Sequence, residues 1–134
     1  WGSTTLTGPE HEADRRWCRE NQIPVLAYSS MAHGFFSGKF HSDEPEKAEM
    51  VLDAFAKKGY YAPENMERLR RAELLAEKYG CPVASIAIGY LFGQGLNVFP
   101  ILSGAKPERF REALAAVELP LTAEECAWLD LREG

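Results

Sequence analysis

Residues 27–39 read Ala27-Tyr28-Ser29-Ser30-Met31-Ala32-His33-Gly34-Phe35-Phe36-Ser37-Gly38-Lys39, and residues 100–109 read Pro100-Ile101-Leu102-Ser103-Gly104-Ala105-Lys106-Pro107-Glu108-Arg109. Each stretch takes an apolar run into a turn of small residues and then to a cation. Such a turn brings backbone N–H groups and positive charge to the carboxyl end of a strand, where a parallel α/β barrel can hold a phosphorylated ligand. Pro24 to Ser29 and Asn97 to Leu102 are accordingly predicted as two short strands, the first buried on both faces.

Helices are predicted around these strands. Pro9 to Glu20 opens with proline and acids, and Ala13, Trp17 and Cys18 would form its apolar face. Trp1 to Gly8 reads as a loop. From Ser30 to about Ser42 a long strand-to-helix loop with two glycines is expected. Glu46 to Phe55 reads as a helix burying Met50, Ala54 and Phe55, with Gly59 and Pro63 bracketing a connection. Met66, Leu69, Ala72, Leu75, Ala76 and Tyr79 recur at helical spacing from Pro63 to Tyr79, with Gly80 as the stop. Val83 to Phe92 is apolar nearly all round and reads as a buried helix rather than a strand. Pro107 to Val117 is amphipathic through Phe110, Ala113, Leu114 and Val117. Thr122 and Glu125 have the spacing of a capping box opening a last helix through Trp128 and Leu131. Two parallel strands among helices make an α/β unit, and two strands do not close a barrel, so the architecture reads as incomplete.

At 134 residues and 46% apolar, the chain can bury one ordinary core. A net charge of -5 without a basic stripe argues against a general nucleic-acid binder. No apolar run approaches the roughly 18 residues of a membrane span, and no signal-peptide pattern is seen. Cys18, Cys81 and Cys126 are odd in number and widely spaced. Free thiols in a reducing cytoplasm are expected, not a disulfide framework or zinc site. The first residue is Trp1 rather than Met, and the chain is therefore expected to be a piece of something longer.

In the second stretch, Lys106 and Arg109 fall in the first turn of a predicted helix. Cations there are mildly unfavourable by themselves, which a bound polyanion would reverse, though both also read as solvated surface charges. Glu112 can accept from an exocyclic amine or sugar hydroxyl, or pair with Arg109 one turn before it. In the first stretch Tyr28 could stack on a planar ring or simply join the core. Ser29 and Ser30 offer hydroxyls, Lys39 a charge, and Gly34 and Gly38 a backbone that bends closely around a ligand. His33 is the one histidine near this cluster. No Ser-His-Asp order, metal-spaced His pair, GxGxxG or GxxxxGK[ST] is present.

Residues 27–39 resemble the aldo-keto reductase motif A-[YW]-S-P-L-x-x-G-x-[LF]-[ST]-G-[KR]. Pro100 to Ala113 resembles that family's P-I-x-G-A-x-x-P-E-x-[LF]-x-E-[NA], and Leu119 to Leu129 its L-x-L-[ST]-x-E-E-x-x-x-L tail. The likeness runs from about Pro9 to Leu131. Phe35-Phe36 and the Glu12-to-Gln22 helix resemble a bacterial-type subgroup of oxidoreductases. The resemblance implies a (β/α)8 barrel with NADP(H) across its carboxyl-end face. It would place Tyr28 against the nicotinamide and wrap Ser29, Ser30, Met31, Ala32 and His33 around the pyrophosphate, with Lys39 nearby. Ser103 and Ala105 would approach the adenosine phosphate. Arg109 would meet the 2′-phosphate or adenine, and Glu112 would hold the adenine amine beside Ala113. Lys106 and Arg109 favour NADP over NAD.

Four positions depart from the pattern: Ser30 stands for the usual proline, His33 for a frequent arginine, Ser103 for a frequent glycine and Ala113 for a frequent asparagine. The family's Asp-Tyr-Lys-His tetrad lies in the amino-terminal half of the barrel, and no residue here aligns with it. The resemblance thus implies that residues 1–134 are the C-terminal part of a single aldo-keto reductase domain, holding about the last two strands and their helices. A full-length parent would reduce an aldehyde or ketone with NADPH, and the chain alone would not catalyse. The alternative is a non-catalytic truncated product or docking module. Self-association through the exposed barrel edge is expected under either reading.

Overall fold

The computed structural model describes residues 1–2, 5–103 and 106–132. Two strands, β1 (Val25–Ala27) and β2 (Val98–Pro100), pair in parallel with Val25 opposite Val98 and Leu26 opposite Phe99. A short 3-10 turn (Pro9–His11) and α1 (Glu12–Glu20) precede them. The crossover carries α2 (Pro45–Val51), α3 (Ala54–Tyr60), α4 (Pro63–Tyr79) and α5 (Val83–Phe92). After β2 come α6 (Pro107–Ala115), a 3-10 turn (Ala116–Glu118) and α7 (Ala123–Leu129). Parallel strands need a long crossover, and helices fill it. Among the described residues the sheet has two strands and does not close.

The crossover supplies the core. α5 is buried without a break from Ala84 to Tyr90, as its all-round apolarity requires. α4 lies along it and buries Leu69, Ala72, Leu75 and Ala76, then stops where Gly80 adopts a left-handed conformation (φ 62°, ψ 38°). Glycine reaches that conformation without a Cβ penalty, which makes it an efficient C-terminal stop. α7 starts at the expected capping box: Thr122 Oγ1 accepts from Glu125 N at 3.1 Å, and Thr122 N donates to Glu125 at 2.9 Å.

Several expected faces differ. β1 is not buried on both faces: Leu26 is 66% exposed, and Phe99, Tyr28 and Ile101 extend the same open face. Side chains alternate along a strand, and among the described residues only the other face has helices against it. On α1, Ala13 and Trp17 are exposed and Cys18 half-buried; among the described residues the helix packs mainly on the short turn before it. Glu46 to Phe55 is two helices, not one. Leu52 is extended (ψ 134°), and the Asp53 carboxylate caps a new helix by accepting from Ala56 N at 2.8 Å. The break buries Ala48, Leu52 and Ala56 and turns Met50, Ala54 and Phe55 outward. α3 runs through Gly59, so the connection that Gly59 and Pro63 are expected to bracket shrinks to Tyr61 and Ala62. On α6 the buried residue is Ala113, with Ala116 just beyond it; Phe110, Leu114 and Val117 are exposed.

The reading of residues 30–42 as a plain loop also changes. Its backbone forms successive turns, yet Ala32, Phe35, Phe36 and Phe40 are buried in the main core. Phe35 meets Phe40 edge-on at 5.4 Å and Phe36 at 5.1 Å. Beside this core, Asp130 accepts from Trp1 Nε1 at 2.7 Å and from the Tyr90 hydroxyl, and burial pushes the Tyr90 phenol well up.

Charges on α4 tie it to α7. Arg71 donates to the Trp128 carbonyl at 2.7 Å and to Glu67 at 2.7 Å, while Arg70 grips the same carboxylate. Hydrogen bonds from Arg70 and Arg71 pull the Glu67 pKa down to about 2. A depressed carboxylate stabilises the fold above its unfolded pKa, and the gain is lost as pH falls toward the folded value. Urea midpoints should therefore decline from about pH 4.5 to 2. Glu67→Gln should flatten part of that slope, by a small amount because the pair is near the surface. An unchanged slope would rule this pair out as a contributor.

Candidate functional site

The site region begins where β1 ends. Tyr28 leaves the strand 70% exposed, and the chain then turns through a run of left-handed residues: Ser29 (φ 52°), Ala32 (φ 53°), His33 (φ 52°) and Gly34 (φ 89°). Three of these carry a Cβ, and left-handed backbone costs such residues about 1–2 kcal/mol each. The burial of Ala32, Phe35 and Phe36 holds the loop in place against that cost. Strain of this kind tends to collect at binding loops.

Each polar residue of the loop has a definite place. Ser30 Oγ reaches the carbonyls of Ala27 (3.1 Å) and Ile101 (3.2 Å), which joins the ends of both strands. A proline there would have no such stitch. His33 Nε2 lies 3.0 Å from Ser29 Oγ, and its ring is parallel to Phe55 (centroids 6.1 Å, planes 18° apart) with Tyr60 at 6.0 Å. Lys39 is exposed and folds back over the turn, its Nζ 3.9 Å from where a Cβ on Gly34 would stand.

The second stretch meets the first. Arg109, in the first turn of α6, donates from Nη1 to the Ser37 carbonyl at 3.4 Å, across 72 positions of sequence. The guanidinium turns to the first loop, not to Glu112. Met31, Ser103, Arg109, Glu112 and Ala113 line one small cleft of about 20 Å³. The Glu112 carbonyl accepts from the buried Ser85 hydroxyl at 3.0 Å, which fixes that turn of α6 on α5. Ala105 lies outside the described residues.

Tyr28, Ser29 and Ser30 belong to a different hollow, an apolar cavity of about 240 Å³ along β1 that Phe36, Tyr60 and Leu6 also line. Burial and the neighbouring Tyr28 push the Tyr60 phenol up, against a hydrogen bond with Ser29. Tyr60 and Phe55 were not foreseen as site neighbours. The capping aspartate Asp53 was the available signal, since a break there redirects both rings. Among the described residues no cluster of His, Cys, Asp and Glu has a metal-binding arrangement, and no helix is long and apolar enough to cross a membrane.

The sequence model of the Aldo/keto reductase family matches residues 10–131. The chain belongs to the aldo/keto reductase family. It is 38% identical over 108 residues to an aryl-alcohol dehydrogenase of Pestalotiopsis microspora, an overlap of 81% of this chain and 26% of that protein. It is 28% identical over 114 residues to a Schizosaccharomyces pombe protein named as an aryl-alcohol dehydrogenase, covering 85% of this chain and 32% of the relative. Among solved structures it resembles a thermostable aldo-keto reductase crystallised with the inhibitor epalrestat, at 21% identity and a TM-score of 0.62. That likeness covers 99% of this chain and 38% of the other. The aldo/keto reductase chain described here thus spans about a third or less of the length of these two named relatives. Its two strands and helices form part of that family's barrel.

Proposed function

We propose that residues 1–134 are the C-terminal part of one aldo/keto reductase domain and hold much of the NADP(H) site of an oxidoreductase. The observation that carries this reading is the meeting of the two loops. Met31, Ser103, Arg109, Glu112 and Ala113 share a cleft, and Arg109 reaches Ser37 on the far loop. A planar guanidinium can grip a phosphate with two parallel hydrogen bonds, and the start of α6 adds its dipole. Glu112 offers a carboxylate at the distance of one helical turn, suited to an amine on a heterocycle. The Ser29-to-Gly34 turn would wrap the diphosphate, with Lys39 at its edge and Tyr28 offering a ring face to the nicotinamide.

The bound cofactor would supply the hydride for reducing a carbonyl, or accept it from an alcohol. This chain's residues would bind and orient it; the proton donor belongs to the part of the barrel that these residues do not include. The names of the two relatives favour an aryl alcohol and aryl aldehyde as the substrate pair. Three free cysteines suit a cytoplasmic setting.

Titration of the chain with NADPH, followed by protein fluorescence, tests the reading. Saturable quenching is expected. A chain with native circular dichroism that shows no saturable change would overturn it.

A further inference from the structure

α3 has only seven residues, yet it carries one of the most exposed aromatic side chains of the molecule, Phe55, at 77% exposure. A lone exposed phenylalanine needs no explanation. Phe55 is not alone. The His33 ring lies parallel behind it, and Tyr60, five residues on at the end of the same helix, is tilted 40° against the same imidazole. Tyr60 in turn lines the same apolar cavity as Tyr28 and Ser29. Tyr28, Tyr60, His33 and Phe55 thus make a continuous aromatic rim at the carboxyl end of β1. That is the end of a barrel strand where reacting groups gather.

The rim is also built to stay in place. Ser29 and His33 both sit in the left-handed region, and the hydrogen bond between their side chains sets the plane of the imidazole. Asp53 caps α3, so the helix that carries Phe55 and Tyr60 starts at a defined residue. One face of Phe55 is engaged by His33, and the other is open. Aromatic pairs prefer offset-stacked or edge-on contact, which a saturated ring of equal size does not reproduce.

We infer that Phe55, backed by His33 and flanked by Tyr60, is the specificity-determining wall that receives the aromatic ring of an aryl alcohol or aryl aldehyde. The inference rests on the oxidoreductase reading above and adds to it which residues select the substrate and by what physics. A ring laid on the open face of Phe55 would leave its carbinol or carbonyl carbon directed toward Tyr28, beside which the nicotinamide is proposed to lie.

The test uses benzyl alcohol, which does not react with lysine amines, and cyclohexylmethanol as the saturated counterpart. Binding to the chain is followed by NMR on the ring signals of His33 and Tyr60. Benzyl alcohol should shift both signals saturably and bind more tightly than cyclohexylmethanol. Phe55→Ala should weaken benzyl alcohol about 3- to 10-fold and leave cyclohexylmethanol nearly unchanged. Phe55→Tyr, which keeps the ring, should restore the preference. Because Phe55 is exposed, the alanine variant should melt as the parent does, and its melting curve checks this. Equal binding of the two alcohols, or benzyl alcohol binding that ignores Phe55→Ala, would overturn the inference. So would the absence of any saturable shift. NADPH titration of the same samples separates the two readings. Intact NADPH binding without an aromatic preference sinks only the wall, and an aromatic preference without NADPH binding sinks only the cofactor site.

Discussion

Replacing Phe35 by alanine is expected to lower the unfolding free energy by about 3–5 kcal/mol. That would remove a large share of the roughly 5–15 kcal/mol typical of a whole domain. Phe35 is 0% exposed, sits among turns rather than in a helix, and packs edge-on against Phe36 and Phe40. Truncation removes a buried ring and leaves a cavity that the strained Ser29-to-Gly34 turn is poorly placed to fill. The same contacts hold that turn in its left-handed conformation, so NADPH affinity should fall along with stability. Urea unfolding measures the first effect, with Leu74→Ala on the exposed side of α4 as the control expected to cost much less. A loss below about 1 kcal/mol for Phe35→Ala would mean that the loop rides on the core instead of forming part of it.

This loop marks the limit of what periodicity reveals. α4 and α5 were legible because their signals are local: a stripe at helical spacing closed by Gly80, and an apolar run too long for a strand. The capping box at Thr122 and Glu125 was legible for the same reason. Residues 30–42 carry no period. Gly34, Gly38 and the serines mark turns, and nothing local tells that Phe35 and Phe40 point inward while His33 and Lys39 do not. Amphipathic spacing on α1 and α6 had a related weakness. It identified an apolar face, but the presence of a layer to cover Trp17, Phe110 or Leu114 is a tertiary matter.

The site divides along the same line. The motif residues Met31, Ser103, Arg109, Glu112 and Ala113 were found by resemblance, and folding gathers them in one cleft because α6 starts at Pro107, only seven positions after β2 ends at Pro100. Phe55 and Tyr60 escaped notice because a single unbroken helix from Glu46 would have buried Phe55. The extended Leu52 and the Asp53 cap rotate it outward instead, beside His33.

Arg109→Ala should weaken NADPH binding about 10- to 100-fold, the usual worth of hydrogen bonds to a charged group, while leaving NADH binding nearly unchanged. The two cofactors differ only by the 2′-phosphate, so the contrast between them isolates the contact proposed for this side chain. Arg109 already spans the two loops, and its hold on the Ser37 carbonyl is long at 3.4 Å. A neutral carbonyl would give way to a dianionic phosphate. Arg109→Lys keeps the charge but not the planar fork and should fall between parent and alanine. Raising the ionic strength should narrow the difference between NADPH and NADH, because an exposed charge pair is screened by salt. Equal losses for both cofactors would place Arg109 on the shared diphosphate or the adenine. No loss for either would return it to the surface charges, and the two loops would then meet for reasons of packing alone.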